Sequence, residues 1–249
     1  MINHLITRIK NFRKDPVTFW SENVLISDAY PIYPAKEYKR KWLKHCAIAY
    51  KKYTERDARY TAVTTAKCPG IRKICETGYI LQSWCDIVIT TNADGTYQVD
   101  VPKDLPELIK DSPQSSKLVT SFDMRYSPVR IPTGDNFNSI LKFWTPYTFD
   151  VKEGYSLMVL PIPYDDDPPF SACPGIAMNF EIGFNIHVYW HVKEGRTFIP
   201  AGTPLCQLIP TKIVDDPIKV KEYTPEVKKK IEKIIFNIKS TFKNSGSNW

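Results

Sequence analysis

Two histidines four residues apart, His187 and His191, are the first candidates for metal chemistry in this sequence. On a helix their imidazoles would converge on one ion. The apolar and aromatic residues around them instead predict a strand, where four steps of about 3.3 Å place the rings roughly 13 Å apart. One ion cannot bridge that distance with bonds of about 2.1 Å. We therefore expect two separate histidines, packed or at the surface.

Three consecutive carboxylates, Asp165, Asp166 and Asp167, offer the clustered oxygen ligands that Mg²⁺ or Ca²⁺ prefers. They stand directly before Pro168 and Pro169, which predicts a loop. Adjacent carboxylates in a loop are more often solvated than bound to a cation. Both interpretations stay open, and we expect the solvated loop.

The six cysteines lack the spacing of a zinc or redox motif, because no Cys-x-x-Cys pair occurs. His45 and Cys46 are adjacent, but neighbours on the helix predicted there point apart, which argues against a nucleophile with its base. A Gly-rich phosphate loop is also absent from the sequence. We therefore identify no catalytic residue, no metal ligand and no cofactor, and expect a protein that is not an enzyme.

Aromatic side chains and one carboxylate could line a ligand pocket. Small-molecule pockets combine apolar walls with a few polar groups, and five residues fit this description: Trp84, Asp86, Trp144, Tyr147 and Tyr155. In the alternative interpretation the same residues are core aromatics with a hydrogen-bonded aspartate. That alternative is the stronger expectation.

A basic stretch near the N-terminus interleaves cations with aromatic residues, a pattern typical of proteins that bind and stack single-stranded nucleic acid. The candidate phosphate-binding residues are Lys39, Arg40, Lys44 and Lys51, next to Trp42. The alternative is that the aromatic rings pack in a core or an interface, and we expect the alternative.

Charge is unevenly distributed along the chain. Residues 1–56 hold 12 Lys/Arg and 5 Asp/Glu, residues 217–249 hold 8 and 3, and residues 57–216 hold 14 and 19. The ends are basic and the central region is acidic. The ends either meet nucleic acid or an acidic partner, or pack on the acidic region of their own chain or of a neighbouring copy. We expect the second.

Most of the elements that carry these residues are predicted to be strands. Tyr79–Thr91 predicts a strand, Asp94 and Gly95 predict a turn, and residues 96–101 alternate as a partner strand, which together predict a hairpin. A last block of β structure is predicted from three apolar or alternating segments: Gly154–Pro161, Ile182–Val192 and Leu205–Ile213.

Helices are predicted at both ends. The first precedes Asp15, a second covers residues 36–55, and a helical turn from Cys68 stops at Gly78, whose missing Cβ suits a left-handed cap. At the C-terminus Thr224 is a suitable N-cap. The helix after it predicts one apolar face, with lysines over the rest: the apolar residues are Val227, Ile231, Ile234, Ile235, Ile238 and Phe242.

No apolar run reaches the roughly 20 residues that a membrane-spanning helix needs. The opening segment MINHLITRIKNFRKD lacks the continuous apolar stretch of a secretory signal. We therefore expect a soluble protein that stays inside the cell.

Residues 154–213 contain parts that resemble the β-clip domain of the trimeric dUTPase and dCTP deaminase families. The parts are a Pro-Gly-Ile stretch at Pro174–Ile176, a strand, and a closing turn-and-strand motif, Ile199–Ile209. The resemblance implies a β-clip fold and a nucleotide pocket. Those enzymes have an Asp that activates water and a Tyr that stacks on the base, where this chain has Met-Asn-Phe at residues 178–180. Their phosphate-binding motif contains an Arg and a Ser, and the corresponding segment here, Pro161–Pro163, contains neither. Hydrolytic chemistry is therefore not expected.

A second resemblance covers most of the chain. It rests on short motifs and points to an uncharacterised protein family of large tailed phages, especially those of cyanobacteria and other marine bacteria. The motifs are Tyr30–Ala35, Lys67–Ile71, Gly78–Leu81, Trp84–Asp86, Phe143–Pro146 and Gly154–Ser156. The resemblance implies a phage origin and transfers no activity.

Together these patterns predict an α+β fold, in which a central antiparallel β-sandwich or barrel, β-clip-like in its C-terminal part, is flanked by N- and C-terminal amphipathic helices. The expected divisions are a basic helical arm over 1–57, a β-rich core over 58–216, and a basic helix and tail over 217–249.

The expected function is that of a non-enzymatic phage protein for assembly or binding, with a virion component as one form of it. The alternatives are a nucleotide-binding or nucleotide-hydrolysing protein of dUTPase-like fold and a nucleic-acid accessory protein. The expected partners are the chain itself or other phage proteins, through the basic terminal helices, or nucleic acid. The expected location is the host cytoplasm or the virion.

Overall fold

A computed structural model of the 249-residue chain describes residues 15–21, 23–43, 45–46, 48, 68–94, 96–101, 118–121, 139–165, 168–177, 184–214 and 224–244. The chain divides into two compact units. The first has the bounds Met1–Tyr38 and Glu76–Ile213, and the second has the bounds Lys39–Cys75 and Val214–Trp249.

Strands dominate the first unit. In chain order they are β1 (Val17–Ser21), β2 (Tyr33–Pro34), β3 (Tyr79–Gln82), β4 (Ile87–Thr91), β5 (Tyr97–Asp100), β6 (Val119–Ser121), β7 (Ser139–Trp144), β8 (Tyr147–Val151), β9 (Tyr155–Leu160), β10 (Phe170–Ala172), β11 (Gly175–Ala177), β12 (Asn185–Trp190), β13 (Gly195–Ile199) and β14 (Pro204–Lys212). The described helices are α1 (Val24–Ala29), α2 (Pro69–Glu76) and α3 (Pro225–Asn244), a 3₁₀ turn covers Ala35–Glu37, and residues 41–43, 45–46 and 48 are also helical.

Within the described ranges the strands form four antiparallel sheets. Their orders are β1–β8, β13–β4–β5, β10–β12–β7–β6 and β11–β9–β14–β3–β2. In the five-stranded sheet β14 pairs with β9 on one side and with β3 on the other, with an irregularity between Pro204 and Cys206. Every strand pair among the described residues is antiparallel.

The predicted fold class, an α+β protein around a β-sandwich or barrel, is wrong. The described residues form a mainly β structure of several separate open sheets, and none of these sheets closes into a barrel. Closure requires a continuous ladder of hydrogen bonds around the sheet. The five-stranded sheet instead ends on one side at two-residue β2, whose Pro34 has no N–H to donate, and on the other at three-residue β11.

The core follows from alternation along the strands. In β12 the side chains of Ile186, Val188 and Trp190 are buried, whereas those between them are half-exposed. Aromatic rings fill much of the interior, and Phe149 packs edge-on against Phe184 with ring centroids 5.0 Å apart. These buried faces set which side chains of each sheet remain available for binding.

The predicted hairpin is confirmed, because β4 and β5 pair from Val88↔Asp100 to Thr91↔Tyr97. The single strand predicted over Tyr79–Thr91 is two strands in different sheets, β3 and β4. Between them Ser83 donates from its amide to the Thr203 carbonyl and accepts at its own carbonyl from the Gly202 amide, both at 2.7 Å. These bonds redirect the chain. The predicted last β block is confirmed as β9, β12 and β14.

The residues predicted to begin or end helices are largely confirmed. Two residues after α2, Gly78 has φ +78°, as a left-handed stop requires. At the start of α3 the Thr224 hydroxyl accepts from the Val227 amide at 3.4 Å. Of the helix predicted over 36–55, residues 41–43, 45–46 and 48 are helical and residues 49–55 lie outside the described residues. The helix predicted before Asp15 also lies outside them.

The described part of the chain contains no helix that is both long and apolar enough to cross a membrane.

Candidate functional site

The two tryptophans of the predicted pocket pack against each other. The rings of Trp84 and Trp144 meet edge-on with centroids 5.4 Å apart, and the Trp84 indole N–H donates to the Trp144 carbonyl at 3.4 Å. Both side chains are buried. This contact is that of core aromatics.

The other three pocket candidates are held by separate interactions. Tyr147 is buried, and its hydroxyl donates to the Tyr30 carbonyl at 3.0 Å. Burial raises the pKa of Tyr147, and the negative charge of Asp28 raises it to a smaller extent. Exposed Asp86 accepts from the Ala201 amide at 2.7 Å. Tyr155 is half-buried at the start of β9. Ligand binding by these residues stays a prediction.

The basic candidates differ in accessibility. Arg40 is buried, and its guanidinium donates to the Cys75 carbonyl at 3.0 Å within the second unit. Its charge therefore supports the fold locally. Lys39 is exposed, and Lys44 and Lys51 lie outside the described residues.

The metal candidates are placed apart. The His191 ring nitrogen Nε2 lies 2.9 Å from the Ser171 hydroxyl, while Asp165 accepts from the Tyr38 hydroxyl at 2.9 Å. Asp166 and Asp167 lie outside the described residues. Where the structure describes the chain, no group of three or more His, Cys, Asp or Glu could hold a metal ion.

A polar face of the four-stranded sheet brings together residues that sequence spacing did not join. Cross-strand partners in β7 and β12 point to the same side of a sheet, and three such pairs follow one another along these strands: Trp144↔Asn185, Lys142↔His187 and Ile140↔Tyr189. Lys142, His187 and Tyr189 are half-buried.

The neighbouring strand β10 extends this face. Ser171 pairs with Tyr189, and the Cys173 amide donates to the His187 carbonyl at 2.8 Å, which continues the ladder to Cys173. The Tyr189 hydroxyl and the Cys173 thiol share a hydrogen bond. We call these eight residues the polar sheet face: Ile140, Lys142, Trp144, Ser171, Cys173, Asn185, His187 and Tyr189.

The polar sheet face favours negatively charged ligands, because it contains Lys142 and no carboxylate. Burial lowers the pKa of His187, and the ammonium group of Lys142 opposite lowers it further. Burial raises the pKa of Cys173 to about 11, partly offset by the Tyr189 hydrogen bond. At neutral pH the thiol is therefore protonated and a poor nucleophile, which favours non-covalent binding here.

Sequence reasoning singled out His187 and missed the rest of this face. Alternation in β12 indicated that His187 and Tyr189 share a side of the strand. The partner residues Lys142 and Cys173 lie 45 and 14 residues away in the chain, and only the register of pairing brings them to His187.

The C-terminal helix α3 carries a second candidate binding surface. From residue 224 to residue 237 every residue is exposed except half-buried Ile231. Three apolar side chains of the predicted stripe, Val227, Ile234 and Ile235, are 40%, 47% and 46% exposed. We call these three residues with Ile231 the α3 stripe. It is flanked by the lysines at 228, 230 and 233.

Comparison of the sequence with models of known protein families and with curated proteins found no match in either.

Proposed function

We propose that this protein works by binding and assembly, and that the α3 stripe docks on a second copy of the chain. The exposure of the stripe carries the proposal. An amphipathic helix in a folded protein normally turns its apolar face toward a core. Among the described residues the stripe instead exposes nearly half of each of three side chains, as interaction surfaces do.

Charge complementarity argues for a second copy as the occupant. Residues 225–244 contain six lysines and two glutamates, whereas residues 57–216 hold 14 Lys/Arg against 19 Asp/Glu. A helix with lysines on both flanks of its stripe repels an identical helix and is attracted by an acidic surface. The acidic central region of a neighbouring copy combines that charge with exposed apolar side chains such as Ile176 and Phe198.

The phage resemblance gives this proposal a setting. A protein that binds copies of itself through a basic terminal helix fits an assembly function, with a virion component as one form of it. The origin stays a prediction from the quoted motifs.

The experiment is a measurement of mass in solution by light scattering and sedimentation, at low and high salt. We expect an oligomer at low salt whose dissociation is promoted by salt, because the attraction between exposed charges is screened. Replacing Ile234 and Ile235 together by Ser should yield the monomer.

Phe236 provides the matched control. It is 72% exposed, and at about 100° per residue it lies on the other side of the helix from the stripe. The variant Phe236→Ser should keep the oligomer. A wild-type monomer at all salt and protein concentrations would overturn the proposal, and so would equal effects of the two variants.

The other possible occupants are tested on the same preparations. Retention of single-stranded DNA by monomeric protein, weakening with salt, would assign the basic helix to nucleic acid. Flotation of the monomer with vesicles of anionic lipid, and not with neutral ones, would assign it to a membrane surface. Either result in the absence of self-association overturns the second copy as the occupant.

A further inference from the structure

We propose that the polar sheet face binds a small oxyanion with the chemistry of a phosphate group. The anion would lie beside Lys142, its cross-strand partner His187, and Trp144, two residues from Lys142 on the same strand. This site belongs to the four-stranded sheet. It shares no residue with the α3 stripe, and the proposal does not depend on self-assembly.

The pairing of Lys142 with His187 is the first argument. The two residues are direct cross-strand partners, and like charges directly opposite each other disfavour the folded sheet. His187 avoids the conflict by staying neutral. An anion placed between the two side chains removes it, because the anion attracts the ammonium group and stabilises a protonated imidazole.

The indole of Trp144 is an independent second argument. Its Nε1–H is buried and has no hydrogen-bond acceptor among the described residues. Buried donors are almost always paired, so one with no acceptor among the described residues is suited to a bound ion or water. Alternation places Trp144 on the side of β7 that carries Lys142, two residues along the strand.

The remaining groups of the face suit the same ligand. No carboxylate stands among the eight residues, and the hydroxyls of Ser171 and Tyr189, which contact His191 and Cys173, add polar groups with hydrogen-bonding capacity beside the site. An anion is attracted by the ammonium group of Lys142, whereas a cation is repelled by it. The donor set therefore selects negative charge.

Binding is linked to pH through His187. Among the described residues, the titratable groups near His187 are Lys142 on β7, Cys173 just after β10, and Tyr189 and His191 on its own strand or just beyond it. Tyr189 and Cys173 are neutral near pH 7, because burial raises the pKa of both. Because an anion favours the imidazolium, protons and anion bind cooperatively and affinity rises as the pH falls.

The experiment follows the four imidazoles by NMR during a pH titration of the full chain, with and without inorganic phosphate at constant ionic strength set by chloride. We expect phosphate to raise the pKa of His187 by about one unit. A parallel titration with a nucleoside monophosphate distinguishes the two possible ligands. If the site takes a phosphorylated small molecule, the nucleoside monophosphate should bind more tightly than inorganic phosphate; if it takes the free anion, it should not.

Two lysine variants make the test specific. Lys142→Gln should abolish the phosphate effect on His187, whereas Lys152→Gln, at an exposed lysine beyond β8, should keep it. Trp144→Phe removes the indole donor and should weaken phosphate binding several-fold with His187 still titrating. An identical response to phosphate and chloride, or a phosphate effect that survives Lys142→Gln, would overturn the site and leave the assembly proposal untouched.

Discussion

Gly78 lies so close to the backbone of Leu208 that a Cβ at position 78 would overlap the Leu208 carbonyl oxygen. Leu208 belongs to β14 and pairs with Tyr79, the residue after the glycine. The backbone at Gly78 also has φ +78°, which disfavours any side chain. Two separate physical reasons therefore require glycine where α2 gives way to β3.

The change Gly78→Ala should lower the free energy of unfolding by about 2–4 kcal/mol. About 1 kcal/mol comes from the left-handed backbone, and about 1–3 kcal/mol from forcing β3 and β14 apart. Urea denaturation measures the loss. The control is Gly154→Ala, where φ is +77° but a Cβ would meet nothing within 4 Å. That variant should lose only about 1 kcal/mol; equal losses would contradict the steric part of the argument.

The buried amide of Gln207 should contribute more to stability than an exposed amide of the same type. Gln207 is fully buried, and its Nε2 donates to the Thr77 carbonyl at 2.5 Å. Replacement by Leu leaves that carbonyl without its donor, which should cost about 1–3 kcal/mol. The matched change Gln82→Leu breaks an exposed bond of 3.0 Å to the Pro31 carbonyl, where water can replace the amide. A thermal-unfolding series in which Gln82→Leu is the more damaging change would refute this ranking.

Protonation of His187 should destabilise the native state. Its pKa is below 6.5 in the folded protein because of burial and Lys142, so the unfolded chain binds the proton more readily. The free energy of unfolding should therefore decline as the pH drops below about 6.5. His187→Gln removes this contribution, and Lys142→Gln should raise the pKa of His187 toward its usual value. An unchanged histidine titration in Lys142→Gln would show that the two side chains do not interact.

Two cysteines should resist alkylation in the native protein. Burial raises the pKa of Cys206, and burial with the nearby Asp86 carboxylate raises the pKa of Cys85 to about 12. Since the thiolate is the reactive form, N-ethylmaleimide at pH 7.5 should label both at least about a hundredfold more slowly than in urea. Mass spectrometry of digests after timed labelling gives the rates residue by residue. Native rates close to those of the unfolded chain would contradict the buried placement.

The sequence predicted those elements whose residues interact locally. Thr224 begins α3 because its hydroxyl caps the fourth residue of the same segment, and β12 was recognisable because its buried residues alternate. The break between β3 and β4 was missed because Trp84 and Cys85 continue the apolar run. The bonds of Ser83 that cause the break come from residues 202 and 203, far along the chain.

Closure of the sheets and the composition of the polar sheet face depend on strand pairing, which alternation does not encode. The same pattern in β9, β12 and β14 suits a barrel, a sandwich or separate sheets. Lys142 meets His187 only through the register of β7 with β12. The predicted pocket residues were chosen by chemical type alone. In the structure the rings of Trp84 and Trp144 pack against each other.

The five-stranded sheet has its last-synthesised strand in its middle. β3 and β9 both hydrogen-bond to β14, yet about 120 residues separate the end of β3 from the start of β14. At the usual rates of translation the ribosome needs on the order of ten seconds to make them. During that time β3 presents an open edge that can pair with other chains, and β9 does so for about the last 44 residues before β14. Yield of this protein in a cell should therefore depend on how quickly synthesis passes from residue 82 to residue 212, and a message that stalls in between should produce aggregate in place of folded chain.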